Sequence, residues 1–197
     1  LAEIVRRTRD ALNSGGHGVT ADDVIESLGA DLIDGVIEGN GGARADARTA
    51  AVANVATAEV ILEAMSNQLH VNGVDATDAM RSAIEQVLPA ASGPSLDELS
   101  ATEEMIYQAT IGLEAAYEIT GDARAAELMQ AMAAVQPGME PALVRPLLPA
   151  DYRGALRNAV SATARGDMTV VNSVNQLARS GGSQGIAENR PPAISGQ

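Results

Sequence analysis

Apolar positions recur every three or four residues along most of this chain, the spacing that marks helices. The longest regular stretch runs from Arg44 to His70, where Ala51, Val55, Ala58, Leu62, Met65 and Leu69 fall on one stripe and Asn54, Thr57, Glu63 and Asn67 on the other side. The pattern predicts one Ala-rich helix over 44–71, packed along one face against partners of similar length. A second long helix is expected over 96–120. Ser95 and Glu98 offer a capping box for it, and Leu99, Thr102, Ile106, Ala109, Leu113, Ala116 and Thr120 repeat the spacing. It is the natural partner of the first.

Shorter elements fill the rest. Leu1, Ile4, Val5, Thr8 and Leu12 make one face of a first helix, with Arg6, Arg7, Arg9 and Asp10 outside it as a solvated charged face; the glycines after Asn13 end it. Thr20 and Asp23 form a capping box for a helix with Val24, Ile25 and Leu28, and Leu32, Ile33, Val36 and Ile37 continue the apolar side up to Gly39. Asn72 and Gly73 read as a turn, with Asp75 the N-cap of a helix carrying Met80, Ile84, Val87 and Leu88 and closed by Pro89. Pro137, Pro141, Pro146 and Pro149 make a bent connector. Tyr152, Leu156, Ala159, Val160 and Thr163 then line a helix bearing Arg153, Arg157 and Arg165 elsewhere. Gly166 and Asp167 open a last helix through Leu177. The expected fold is all-α, an antiparallel helix bundle or helical array of about eight helices with two long Ala-rich ones. It forms a single domain over 1–179, divisible into 1–90 and 95–179, followed by a flexible tail over 180–197.

Composition sharpens this. With no Phe, no Trp and only Tyr107, Tyr117 and Tyr152 as aromatics, the core rests on small and aliphatic side chains. Small faces bury little area each, so a thin core completed by neighbouring subunits is expected. All 13 basic residues are Arg, and Lys and Cys are absent. That excludes a Schiff-base or P-loop lysine, a thiol nucleophile, a disulfide and Cys-ligated metal sites. The formal net charge is -13, and 23 of the 26 acids fall in residues 1–142. Six arginines, Arg145, Arg153, Arg157, Arg165, Arg179 and Arg190, make the remainder weakly basic. An acidic body lacks the positive footprint of general nucleic-acid binding, while a polarised chain suits contact with its own copies. No apolar run reaches the ~18 residues of a membrane span, and no signal peptide is visible. Leu1 in place of Met is expected of a processed product or an excerpt.

Candidate chemistry is sparse. His17 sits in a Gly-rich loop and His70 near a predicted helix end, without the carboxylates at helical spacing that would complete a zinc site. The acids between Val19 and Ala43 do not follow a calcium-loop pattern and read as a solvated face. Gly39–Gly42 and the glycines after Ser180 follow no predicted strand, so they fail as phosphate cradles. Acid pairs suited to glycoside cleavage are conceivable in so acidic a chain, but the aromatic sugar platforms are missing. Arg165, Gly166 and Asp167 spell an adhesion tripeptide and read instead as one helix end and the next cap. The stretch Leu113–Pro137 resembles a tetratricopeptide helical hairpin in its Ala116, Tyr117, Gly121, Asp122, Ala126 and Ala133. It departs from that pattern at Glu114, Gln130 and Pro137 and does not recur at a 34-residue period, so it reads as an antiparallel helix hairpin without a solenoid.

The function expected from these features is a non-catalytic structural or assembly subunit, not an enzyme, with no metal and no cofactor. Its setting would be a bacteriophage virion, as an internal, connector or ejection protein. The expected partner is protein, as a homo-oligomer or larger assembly. Contacts would run through Val55, Leu62, Met65 and Leu69 and through Arg145, Arg153, Arg157 and Arg165. The alternative is a soluble adaptor that holds a peptide in the groove of its helix hairpin.

Overall fold

The computed structural model describes residues 1–34, 36–71, 73–80, 82, 94–136 and 139–188, with side chains described except at 34, 94–104 and 181–188. The protein is all-α: α1 is Ala2–Ser14, α2 Ala21–Asp31, α3 Ala47–Met65, α4 Pro94–Thr120, α5 Ala123–Ala134, α6 Pro141–Val144, α7 Tyr152–Arg165 and α8 Met168–Glu188. Single turns of 3-10 helix follow α2 (Leu32–Asp34) and α6 (Arg145–Leu147). The strands β1 (His70–Val71) and β2 (Val74–Asp75) pair antiparallel across a two-residue loop, Gly73 at φ +80° closing it.

α3 is the axis of the fold. α1, α4, α7 and α8 pack around it, and α4 lies closest at Gly112, where an added Cβ would sit 2.5 Å from Ala58 Cβ. The stripe Val55, Leu62, Met65 and Leu69 is buried as the spacing predicts, but so are Ala50, Val52, Ala53, Ala56, Glu59, Val60, Ile61, Glu63 and Ala64. The helix is therefore covered almost all round, not along one face. The Ala-rich core is completed by helices of the same chain.

Both ends of α3 differ from the sequence expectation. Asp46 accepts the Thr49 backbone N–H and caps the helix, which starts at Ala47, three residues after Arg44. At the other end Asn67 adopts φ +54°, the Gln68 N–H returns to Glu63 O at 2.7 Å, and the Asn67 N–H returns to Ala64 O at 3.1 Å. This Schellman closure stops α3 at Met65 and frees His70 for the hairpin. Elsewhere the capping chemistry appears as read. Thr20 and Asp23 form a reciprocal box, and Asp122 accepts the Arg124 N–H at the start of α5 behind Gly121 at φ +59°. Asp167 accepts the Thr169 and Val170 N–H groups at the start of α8. Asp75 also accepts the Thr77 N–H, but as the last residue of β2, with Ala76 and not Asp75 standing immediately before helical residues 77–80. Ile84, Val87, Leu88 and Pro89, and the Ser95 and Glu98 side chains, lie outside what is described. The linker expected from Ser180 is instead helical to Glu188.

Candidate functional site

Glu59 and Glu63 stand one turn apart on α3 and are each 3% exposed, in a helix otherwise built of small and aliphatic residues. Two buried carboxylates need counter-charges, and α1 and α7 supply them. Arg7 is the hub: its Nη1 lies 3.0 Å from Glu59 Oε2, its Nη2 donates to Glu63 Oε2 at 2.6 Å, and its Nε donates to Glu3 Oε1 at 2.9 Å. Arg157 Nε donates to Glu59 Oε1 at 3.1 Å, Arg153 Nε lies 3.1 Å from Glu63 Oε1, and Arg153 Nη2 donates to Gln68 O. Arg6 holds Glu3 through Nε and Nη2 and reaches Asp10 through Nη1.

All six carboxylate oxygens of Glu3, Glu59 and Glu63 thus face guanidinium groups. The bonds from Arg6, then those from Arg7, outweigh burial and hold the Glu3 carboxyl down at about 2. Burial opposes the charge on Arg7, yet Glu63, Glu59 and Glu3 together raise its pKa above the ordinary arginine value. A carboxyl serving as general acid needs the opposite shift. Glu3 is thus held ionised and paired with Arg6 and Arg7.

The remaining candidates are likewise occupied. Arg48 Nη1 donates to Thr163 O, Ala164 O and Gly166 O, and His17 Nε2 bonds Ala164 O at 2.8 Å, so both cap the C-terminus of α7. The Gly39–Gly42 run does cradle an anion, but that anion is the Asp31 carboxylate, which accepts the N–H groups of Gly39, Asn40 and Gly41 at 2.6–2.9 Å. His70 Nδ1 bonds Gln68 O. Among the described residues no group of three or more His, Asp or Glu is placed to hold a metal ion, and no helix is long and apolar enough to cross a membrane.

The residues expected to make contacts separate into two groups. Val55, Leu62, Met65 and Leu69 are buried in the protein's own core and present no surface to a partner. Of the arginines, Arg153 and Arg157 serve the buried glutamates, Arg145 and Arg153 flank the buried Tyr152 ring at 5.9 Å, and the exposed Arg165 donates to Ser161 O within its own helix. The structure does not bring the four into one patch around a common group. What sequence reasoning missed was the burial of Glu59, Glu63 and Arg7. The available signal was two matched i,i+4 pairs of opposite sign, Glu59 with Glu63 on α3 and Arg153 with Arg157 on α7.

One exposed apolar surface stands apart. Val24, Ser27, Leu28 and Asp31 turn the inner face of α2 into the core, which leaves Ile25, Gly29, Leu32 and Ile33 outward. Ile25 is 52% exposed, Leu32 47% and Ile33 75%. These residues were expected on the buried side. Asp31, tied down by the Gly39–Gly41 amides, ends α2, and the following turn swings Leu32 and Ile33 outward. Beside Leu32 lies a hollow of about 200 Å³ lined by Val36, Ile37, Asn54, Gln108, Ile111 and Ala178.

No protein-family model, no curated protein and no solved structure matches this chain.

Proposed function

We propose that this chain is a non-catalytic assembly subunit that packs against copies of itself or within a larger protein complex. The observation that carries the reading is the apolar surface at the end of α2: three large side chains, Ile25 on α2 and Leu32 and Ile33 on the turn after it, left bare where the other face of α2 already satisfies the fold. Exposed apolar residues clustered in one place are the kind of surface that protein partners cover. The setting proposed, a bacteriophage virion, rests on composition alone.

The test is the mass in solution, by light scattering after size exclusion over a range of concentration and at low and high salt. Because the arginines once expected to make contacts are engaged within the chain, the expected result is an oligomer that persists at high salt. A monomer under every condition would overturn the reading and direct attention to the adaptor alternative.

A further inference from the structure

The ionic cluster between α1, α3 and α7 opens onto a hollow of about 570 Å³, within the size range of small-ligand sites. Every residue that lines it is charged or polar, so a ligand there is recognised by charge and hydrogen bonds. Arg6 and Arg7 reach it from α1, Arg153 and Arg157 from α7, and Asn67 and Gln68 from the turn after α3.

The charges around it do not balance. Among the described residues the ion-paired cluster sets five arginines, Arg6, Arg7, Arg9, Arg153 and Arg157, against four acids, Glu3, Asp10, Glu59 and Glu63. One positive charge is left over, in a chain whose net charge is -13. Donors are in excess as well. Among the described residues Arg157 makes a hydrogen bond only through Nε, on a side chain that is 67% exposed, and Arg153 makes none through Nη1. Arg153 Nε and Arg7 Nη1 are buried, 3.1 and 3.0 Å from carboxylate oxygens, yet meet them outside hydrogen-bonding geometry. A buried donor without a well-aimed acceptor is costly, and an anion supplies one.

We propose that this hollow binds a phosphate group, free or carried as the monoester of a small molecule, between Arg153 and Arg157 of α7 and Arg6 of α1. A carboxylate offers two oxygens in one plane and suits a single guanidinium. A phosphate offers oxygens on several sides and suits arginines that approach from two helices. A nucleic-acid backbone would need a basic stripe, whereas this site is one cluster bordered by Glu3 and Asp10. The inference is independent of the assembly reading, and neither falls with the other.

Isothermal titration calorimetry of the full chain at fixed ionic strength tests it, with inorganic phosphate, glycerol 3-phosphate, acetate and a short single-stranded oligonucleotide as probes. The variants are Arg157→Gln, which leaves Glu59 its contact with Arg7, and Arg165→Gln, an exposed position on α7 that does not line the hollow. The expected result is saturable binding of phosphate or its monoester with a dissociation constant of about 1 mM or tighter, the tighter of the two naming the source. Arg157→Gln should weaken it about tenfold or more, as expected for one charge-assisted hydrogen bond, with helicity and melting temperature unchanged, while Arg165→Gln leaves it alone. Arg157→Lys, which keeps the charge and loses the fork, should give an intermediate affinity and separates a binding effect from a folding one. Four results overturn the site: no saturable binding, acetate held as tightly as phosphate, equal losses in the two glutamine variants, or an oligonucleotide bound more tightly than either phosphate.

Discussion

α2 and α3 follow one another along the chain, and the protein treats their apolar residues in opposite ways. α3 is wrapped by four helices, so that even its carboxylates are taken inside and matched with arginines. α2 is held on one face and left bare on the other. A helix enclosed on every side tolerates little change, while a helix with a free face has residues whose identity the fold does not fix. Residues that the fold leaves free and that are nevertheless large and apolar are where selection for contact is most readily sought.

Substitution separates the two helices. The largest effect is expected from Arg7→Met, which leaves Glu3, Glu59 and Glu63 short of their shared partner; loss of one member of a buried ionic cluster costs about 3–5 kcal/mol, and denaturant unfolding measures it. Next, Gly112→Ala pushes a methyl group into Ala58 at the α3–α4 crossing and is expected to cost about 1–3 kcal/mol by the same measurement. A gentler probe is acid. Glu3 has a folded pKa of about 2 against an ordinary 4.5, so its contribution is complete above pH 4.5 and is lost as the pH falls towards 2. Melting temperature followed down that window should fall more steeply for the wild type than for Glu3→Gln. The smallest change is expected on α2, and it has the other sign. Gly29→Ala fills open space on an exposed helix and should stabilise the monomer by up to about 1 kcal/mol; a loss of stability there would show that the outer face of α2 is not free.

The elements of the fold were legible in the sequence, for identifiable reasons, while this contrast was not. Caps were readable because they are local: Thr20 with Asp23, Asp122 and Asp167 each act on amides two or three residues away. The all-α fold and the pairing of the two long helices followed from periodicity. Burial around the full circumference of α3 was not readable, because it depends on α1, α7 and α8 arriving from distant parts of the chain. For the same reason Arg7 looked like a solvated residue: its carboxylate partners Glu59 and Glu63 lie more than 50 positions away. The candidate surface on α2 was hidden by a different effect. Ile25, Leu32 and Ile33 belong to an apolar run, and only the termination of the helix at Asp31, fixed by three amides eight to ten residues ahead, decides which of them face outward.

The latch of α8 on α3 bears on the order in which the molecule can be made. Asn175 Nδ2 donates to Ala47 O, and Arg179 pairs with the buried Glu38 at 2.7 Å, so a late part of the chain closes over the start of α3. During synthesis α3 is complete about 100 residues before α8 begins, an interval of roughly 5–20 s at ordinary rates of elongation. For that time the most apolar helix of the protein lacks part of its cover. The nascent chain therefore passes through a stage in which the future axis of the fold is a sticky surface, and α8, which emerges about 100 residues later, is the helix that seals it.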